Sequence, residues 1–159
     1  MKVTLNLIED FKFKATTSKS EFILDYEQIT PVEYFATGLI GCTAYDLKFF
    51  ANKDGYEIKE YSVKAEIERS EGVPYKFDNI HIIYKFNSTF EEIKAKRYIL
   101  ASLESYCTTV NSIRDSVKVS YTIIYNDKIV ANKESIISGS SAKGEAVIED
   151  GFGGAVCCS

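Results

Sequence analysis

The amino-acid sequence predicts an α+β fold in which short strands are grouped in front of each of two long helices. Apolar and polar side chains alternate in several segments, as they do in strands that cover one side of a core. Two longer segments instead repeat apolar residues three and four positions apart, which is typical of amphipathic helices. The order along the chain, βββ-α-ββ-α-β, favours antiparallel sheets, because a doubly wound parallel sheet alternates single strands with helices.

The first three strands are predicted before the first helix. Alternating apolar side chains mark the segments 3–7, 11–15 and 22–26, and short polar turns at Glu9-Asp10 and at residues 17–20 separate them. Strands joined by such short turns pair in opposite directions. We therefore expect an antiparallel meander.

The first long helix is predicted between Thr30 and Gly55. Thr30 is a suitable N-cap, Pro31 fits the first helical position, and Glu33 completes a Thr-x-x-Glu capping box. Gly55 indicates the end of the helix. At about 1.5 Å per residue, a buried helix of this length has to run through the centre of the domain.

Cys42 lies near the middle of this helix, shortly after Gly38 and Gly41. Glycine is a poor helix former, at a cost of about 1 kcal/mol relative to alanine. Two glycines beside one cysteine indicate that another group approaches the helix closely there.

Further strands are predicted over residues 61–67 and 80–86, separated by a turn at residues 70–74. A last strand is predicted over residues 117–125, and a hairpin turn at Asn126-Asp127 can lead into one more apolar segment.

A second long helix is expected to begin near Ser88 or Thr89. Thr89 and Glu92 have the spacing of another capping box. Cys107 lies near the apolar face of this helix. Both predicted helices therefore carry a cysteine.

The composition argues against two classes of partner. A formal net charge of −4 and an isoelectric point near 5.1 argue against nucleic acid, whose phosphates are bound by clustered lysine and arginine. No apolar run approaches the roughly 18 residues of a membrane span, and the N-terminal segment lacks a signal peptide's apolar block. We therefore expect a cytoplasmic protein, in which the four cysteines are more often catalytic, redox-active or metal-binding than disulfide-bonded.

Cys42 and Cys107 are the candidate reactive residues. Because both helices must pack in one core, the two thiols can meet there; alternatively, both act as small buried hydrophobic residues. Asp46, one turn after Cys42, is interpreted as structural, with a bond across a dimer as one option, since a carboxylate beside a thiol would raise the pKa of that thiol. The single histidine, His81, and the distant cysteines have no recognisable metal-ligand spacing, so we expect no metal site and no cofactor.

Two segments carry a family resemblance. The sequence TPVEYFATGLIGCTAYDL, around Cys42, resembles the first-cysteine motif of the OsmC/Ohr superfamily, the osmotically inducible and organic-hydroperoxide-resistance proteins. The sequence KRYILASLESYCTTVNSI, around Cys107, resembles their second-cysteine motif. The resemblance is greatest to the less characterised OsmC-like branch, and residues 1–126 are interpreted as an OsmC-like domain.

The resemblance implies an intertwined homodimer with the two helices at its centre and each active site at the dimer interface. It implies that Cys42 is the peroxidatic thiolate, which attacks the O–O bond of a small hydrophobic peroxide and becomes a sulfenic acid. Cys107 would resolve the sulfenic acid as a disulfide, and a dithiol reductant would restore both thiols. The implied function is a cysteine-based peroxidase that reduces organic hydroperoxides.

The chain differs from those peroxidases in its cations. They hold the thiolate with an arginine from the N-terminal strands, whereas the first arginine here is Arg69. Lys12, Lys14 or Lys19 can replace it only as a point charge, because lysine lacks the planar guanidinium fork. This difference leaves an alternative function, a non-catalytic OsmC-like protein that binds a ligand or carries sulfur as a persulfide.

The catalytic glutamate of the peroxidases corresponds here to Val32, and Glu33 follows one position later. Glu33 is therefore both a candidate catalytic residue and a capping-box residue, and the capping role is favoured because one position turns a side chain about 100° around a helix.

Aromatic residues are frequent near both cysteines. They form either an apolar pocket for a hydrophobic substrate or ordinary core and dimer-interface packing. They are Phe35, Tyr45, Phe49, Phe50 and Tyr106.

Residues 127–159 are interpreted as a C-terminal extension. They are rich in glycine and serine and end in Cys157-Cys158-Ser159. Such a thiol pair can exchange with an active-site disulfide, bind a soft metal ion or carry a persulfide. An unstructured tail with incidental cysteines is the alternative.

Overall fold

A computed structural model describes residues 1–136 of the chain. These residues belong to two compact units, one formed by Met1–Thr37 and one that begins at Gly38. The predictions for the Gly/Ser-rich end of the extension, with Cys157 and Cys158, lie outside the described residues.

The first unit contains the predicted antiparallel meander. Its strands are β1 (Thr4–Glu9), β2 (Lys12–Thr16) and β3 (Glu21–Asp25), and both neighbouring pairs are antiparallel. At the second turn, the Thr17 hydroxyl accepts a hydrogen bond from the Ser20 N–H at 3.0 Å. The three strand predictions and their turns are confirmed.

Helix α1 spans Pro31–Lys53 and begins with the predicted capping box. The Thr30 backbone N–H and hydroxyl donate to the Glu33 carboxylate at 2.8 and 2.7 Å, and the Glu33 N–H donates to the Thr30 hydroxyl at 3.3 Å. These bonds satisfy backbone donors that the first helical turn leaves open. The helix ends before Gly55, whose φ of 78° is the left-handed conformation that glycine adopts readily.

Within the second unit, one face of α1 is buried and the opposite face is exposed. The buried face has helical spacing and consists of Leu39, Cys42, Thr43, Asp46, Leu47, Phe50 and Ala51. Gly38 and Gly41 are exposed, and a Cβ added to either would meet no described atom within 4 Å. The close approach predicted at these glycines is therefore absent from the described residues.

The second unit contains a four-stranded sheet in the order β4-β5-β6-β7. Strands β4 (Lys59–Arg69) and β5 (Phe77–Asn87) form the predicted antiparallel hairpin. Strand β6 (Lys118–Tyr125) pairs with β5 in parallel, which corrects the prediction of purely antiparallel sheets. β5 and β6 are parallel because the helices between them carry the chain back to the same end of the sheet, whereas a short turn would reverse its direction.

Strand β7 (Lys128–Ser135) pairs with β6 in an antiparallel hairpin. Asn126 and Asp127 both have positive φ, which is typical of a two-residue hairpin turn, so the predicted turn is confirmed. The sheet thus continues through the first residues of the predicted extension.

The second long helix is broken into pieces. Helix α2 (Glu92–Ala101) continues into a π-helical turn (Ser102–Tyr106), and helix α3 (Thr108–Ile113) follows Cys107. The predicted capping box at Thr89 and Glu92 is wrong, because α2 begins at Glu92 without a side-chain cap.

The segment before α2 is held in other contacts instead. The Ser88 hydroxyl donates a hydrogen bond to the Glu57 carbonyl at 2.6 Å, and the Phe90 carbonyl accepts a hydrogen bond from the Tyr125 hydroxyl. Phe90 itself is buried in the core, so this segment enters the core instead of starting a helix.

The core of the second unit lies between the sheet and the helices. Alternate residues of β5 and β6 face it: Ile80, Ile82, Tyr84, Phe86, Val119, Tyr121, Ile123 and Tyr125. Leu47 and Phe50 of α1 pack in the same cluster as Ile99 of α2 and Leu103 of the π turn. Burial of each such side chain contributes about 1.5–3 kcal/mol to the stability of the fold. Because α1 and the π turn before Cys107 both supply side chains to this core, the core positions both cysteine-bearing segments.

No helix in residues 1–136 is both long and apolar enough to cross a membrane.

Candidate active site

The fold brings the two predicted cysteines together. The Cys42 and Cys107 sulfur atoms and a carboxylate oxygen of Asp46 all lie within 4.8 Å of one another. Neither cysteine forms a disulfide; Cys42 is 5% exposed and Cys107 is fully buried. Residues far apart in the sequence therefore form one compact, buried thiol–carboxylate cluster.

The π-helical turn determines the backbone of Cys107. The Cys107 N–H donates to the Ser102 carbonyl at 2.8 Å, five residues back, where an α-helix would use the fourth. Cys107 then leaves helical geometry, with φ −72° and ψ 101°. Cys42 differs, because α1 continues through it without a break.

The break in the helix at Cys107 leaves backbone carbonyl groups without helical N–H donors, and side chains donate to them instead. The Arg114 guanidinium donates to the Glu104 carbonyl at 3.1 Å, and the Asn111 amide donates to the Ser105 carbonyl at 3.0 Å. Arg114 also forms an ion pair with the Glu104 carboxylate at 2.5 Å, and both side chains are at least nine-tenths buried. These hydrogen bonds connect residues that precede Cys107 with residues that follow it.

Two hydrogen bonds connect the Cys107 segment to α1. The Ser102 hydroxyl donates to the Asp46 carboxylate at 2.7 Å, and the Thr109 hydroxyl donates to the Leu39 carbonyl at 3.5 Å. The Thr109 oxygen also lies 3.1 Å from the Cys107 sulfur. Asp46 is thus bonded within the same chain, in agreement with its structural interpretation.

Burial raises the pKa of the Cys107 thiol to about 12. The Thr109 hydroxyl and the Val110 backbone act in the opposite direction, while Cys42 raises the pKa further through a hydrogen bond and its charge. A fully buried thiol resists ionisation because the thiolate loses its hydration. Cys107 is therefore a neutral thiol beside Cys42 at physiological pH.

The predicted aromatic residues divide into two groups. Phe50 is in the core and contacts Tyr106 with ring centroids 5.5 Å apart. Tyr45 and Phe49 are exposed on α1, and their rings stack 6.1 Å apart. The aromatic residues of this unit therefore include both core packing and an exposed apolar face on the helix that carries Cys42.

The remaining predicted site residues have partners of their own. Glu33 is engaged in the capping box, where hydrogen bonds from Thr30 hold the pKa of its carboxyl below the usual value. Lys12 pairs with Glu9 at 3.0 Å, and Lys14 pairs with Glu21 at 2.7 Å. A catalytic role for Glu33 stays a prediction.

His81 does not belong to the cysteine cluster. Its ring nitrogens contact the hydroxyls of Ser120 and Thr122 at 2.8 and 3.1 Å, and it alternates on β5 with the buried residues Ile80 and Ile82. Both ring nitrogens of His81 therefore have hydroxyl partners within the sheet.

A sequence model of the family described as OsmC-like protein matches residues 25–122, which contain both cysteines and the whole cluster around them. The chain belongs to the OsmC-like protein family. No curated protein matches this OsmC-like chain.

Solved structures share the fold at low sequence identity. A hypothetical protein from Aquifex aeolicus VF5 is 23% identical, with a TM-score of 0.68 over 79% of this chain and 96% of that one. An OsmC like protein from Mycoplasma pneumoniae is 17% identical, with a TM-score of 0.66 over 78% and 95% of the two chains. An organic hydroperoxide resistance protein from Elizabethkingia anophelis, with thiocyanate bound, is 14% identical, with a TM-score of 0.60 over 79% and 97%.

Sequence reasoning did not identify the residues that hold Cys107 in place. Ser102 and Arg114 resemble ordinary helix residues in the sequence, and their roles depend on the π-helical turn. The burial of Arg114 in the structure is what indicates its role, because a buried arginine requires a partner, here Glu104.

Proposed function

We propose that this OsmC-like protein is a thiol-dependent peroxidase that reduces organic hydroperoxides through Cys42 and Cys107. The observation that carries the proposal is the proximity of the two sulfur atoms, within 4.8 Å, in a buried part of the fold. Membership of the OsmC-like family and structural similarity to an organic hydroperoxide resistance protein support it.

The reaction has three balanced steps. The Cys42 thiolate attacks the O–O bond of ROOH, so that Cys42 becomes a sulfenic acid and the leaving alkoxide takes a proton to become ROH. The Cys107 thiol then attacks the sulfenic sulfur, releases water and forms the Cys42–Cys107 disulfide. A dithiol reductant exchanges with this disulfide, restores both thiols and leaves as its own disulfide.

The environment of Cys107 supports this assignment of roles. Burial raises the pKa of the Cys107 thiol to about 12, so Cys107 stays protonated and suits the resolving role. Cys107 meanwhile keeps the proton that sulfenic acid needs to leave as water. Closing the sulfur separation to a bond of about 2.05 Å requires a small movement, which the interrupted helix at Cys107 allows more readily than α1 does.

The substrate is a small apolar peroxide, bound by an assembled homodimer. Large apolar side chains are exposed in each unit: Leu7, Phe11 and Ile23 in the first, and Tyr45 and Phe49 in the second. Adjacent exposed apolar side chains, such as the stacked rings of Tyr45 and Phe49, are typical of an interaction surface. A second copy of the chain would cover them, and size-exclusion chromatography with light scattering should give the mass of a dimer.

The function is tested by stopped-flow consumption of cumene hydroperoxide with dithiothreitol as reductant. The reference has serine at Cys157 and Cys158, so Cys42 and Cys107 are its only thiols. We expect rapid turnover in this reference and none above free thiol in Cys42→Ser. Turnover that survives Cys42→Ser, or a reference no faster than free thiol, would reject the peroxidase.

A second function is favoured by the cations of the N-terminal strands. No arginine precedes Arg69, and Lys12 and Lys14 already pair with carboxylates. A protein without the activating guanidinium can keep the thiol pair and carry sulfur as a persulfide. Intact mass of protein from its own cell, under non-reducing conditions, would then show an added sulfur on Cys42.

A further inference from the structure

The thiol–carboxylate cluster has the composition of a metal site. Cys42, Asp46 and Cys107 offer two sulfur atoms and one oxygen, all within 4.8 Å of one another and all buried. Zinc binds thiolate sulfur at about 2.3 Å and carboxylate oxygen at about 2.0–2.2 Å, which places neighbouring ligand atoms about 3.5–4 Å apart. We propose that the reduced protein binds one Zn²⁺ ion through Cys42, Asp46 and Cys107.

Two segments of the second unit supply the ligands. Cys42 and Asp46 are four positions apart on the buried face of α1, so their side chains point the same way. Cys107 comes from the break after the π-helical turn, across from α1. The three ligand atoms need to approach one another by no more than about 1.3 Å to surround one ion.

The groups around the ligands also suit a metal. The Ser102 hydroxyl donates to Asp46 at 2.7 Å, and the Thr109 oxygen lies 3.1 Å from the Cys107 sulfur. Hydrogen bonds of this kind orient ligands and are commonly worth 10–100-fold in metal affinity, as an order of magnitude.

A buried hydroxyl beside the cluster is a second, independent observation. Tyr84 is 1% exposed, and within the described chain no hydrogen bond of ordinary geometry reaches its hydroxyl, although Thr43 lies close enough to lower the pKa of Tyr84. Tyr84 belongs to the same buried cluster as Cys42 and Cys107. Buried polar groups are almost always hydrogen-bonded. A water on the fourth position of a tetrahedral Zn²⁺ would give Tyr84 its partner.

Binding converts both thiols into thiolates. The two thiols release two protons, and the site then holds one Zn²⁺, two thiolates and one carboxylate. Neither sulfur is oxidised, so no oxidant or reductant is needed. The ion would block disulfide formation and make the proposed peroxidase sensitive to Zn²⁺, but the binding itself does not depend on peroxidase activity.

The test uses Co²⁺ and Zn²⁺ on the reduced, oxygen-free protein with serine at Cys157 and Cys158. Co²⁺ is the spectroscopic probe, since thiolate ligands give a near-ultraviolet charge-transfer band and a tetrahedral site gives intense visible bands. Competition with a chromophoric chelator measures Zn²⁺ affinity and stoichiometry. We expect one ion per chain, displacement of Co²⁺ by Zn²⁺, and Zn²⁺ protection of Cys42 and Cys107 against alkylation.

Asp46→Asn is the decisive variant, because asparagine still accepts the Ser102 hydrogen bond but binds Zn²⁺ poorly. We expect at least a tenfold loss of Zn²⁺ affinity. Asp54→Asn is the matched control, since Asp54 follows the same helix, accepts a tyrosine hydroxyl bond from Tyr98 at 2.5 Å and lies outside the cluster; its affinity should be unchanged. Unaltered Zn²⁺ affinity in Asp46→Asn, or cobalt bands that survive Cys42→Ser or Cys107→Ser, would overturn the site.

If a variant fails to fold, the reference protein still tests the proposal. The reference protein, whose ligands are unsubstituted, then decides it, because an ion that binds only the folded state raises the melting temperature increasingly as its concentration exceeds its Kd. Zn²⁺ should raise the melting temperature of the reference and protect both thiols. No shift together with no protection would also overturn the proposal, whatever the outcome of the peroxide assay.

Discussion

Cys42 and Cys107 are neighbours in space, but the backbones that carry them differ. Cys42 is one residue of an uninterrupted helix of 23 residues, and its burial follows from the apolar face of that helix. Cys107 follows a π-helical turn and precedes the short helix α3. Its position depends on side-chain contacts made by Ser102, Thr109 and Arg114.

The difference suits the two proposed roles. A nucleophile benefits from a fixed position relative to substrate, which a continuous helix provides. A resolving thiol has to move toward its partner, and a helix break provides a place where backbone dihedral angles can change. If this comparison is correct, perturbing the contacts of the Cys107 segment should affect Cys107 far more than Cys42.

The largest effect on stability is expected for Arg114→Met. The substitution leaves the Glu104 carboxylate buried without its ion pair, at a cost of about 3–5 kcal/mol in the free energy of unfolding. Urea unfolding measures this loss. Alkylation by N-ethylmaleimide should accelerate more at Cys107 than at Cys42.

The control for Arg114 is Arg97→Met. Arg97 is exposed on α2, so its replacement should change the unfolding free energy by no more than about 0.5 kcal/mol. Equal losses in the two variants would contradict a special role for the buried ion pair.

A smaller effect is expected for Ser102→Ala, which removes the hydroxyl that donates to Asp46. A hydrogen bond to a charged group contributes about 1.5–3 kcal/mol, and thermal or urea unfolding should show a loss of this size. Ser105→Ala, at an exposed position of the same π-helical turn, should change stability by less than about 0.5 kcal/mol. If the two serines behave alike, the Ser102–Asp46 bond does not hold the Cys107 segment against α1.

The smallest effect concerns the start of α1. Thr30→Ala should reduce stability by about 1 kcal/mol, the usual cost of losing an N-cap.

Glu33→Gln separates the two roles of Glu33, because glutamine can keep the capping geometry without a charge. If Glu33 acts only as a capping residue, peroxide turnover should be unchanged in Glu33→Gln. A large fall in turnover would make Glu33 catalytic.

The same capping box has a defined pH dependence. Hydrogen bonds from Thr30 lower the pKa of Glu33 below 4.5, so its ionised form stabilises the folded state above that pH. This contribution is lost as the pH falls through the lowered pKa. The stability difference between the original chain and Glu33→Gln should therefore be present at neutral pH and shrink in acid, as urea unfolding at several pH values can measure.

The sequence predicted those parts of the structure that depend on local patterns. Alternation located the strands, and Thr30, Pro31 and Glu33 located the start of α1, because capping is decided within one helical turn. The parallel pairing of β5 with β6 was missed, since it depends on how a helical crossover packs on the sheet.

The candidate site was predictable in part. The two motifs identified Cys42 and Cys107, but the break at Cys107 was not visible, because residues 102–106 have an ordinary helical composition. Thr89 looked like a helix cap, yet burial of Phe90 outweighs a capping bond that contributes about 1 kcal/mol. The grouping of Asp46 with both sulfurs depends on tertiary packing and has no signature in residue spacing.

The central claim is that Cys42 reacts first and Cys107 resolves. The most direct measurement is one equivalent of cumene hydroperoxide added to the reduced reference protein, followed by non-reducing mass spectrometry and dimedone trapping. We expect a Cys42–Cys107 disulfide in the reference and a dimedone adduct on Cys42 in Cys107→Ser. An adduct on Cys107 in Cys42→Ser, formed as fast as the disulfide forms in the reference, would contradict the assignment.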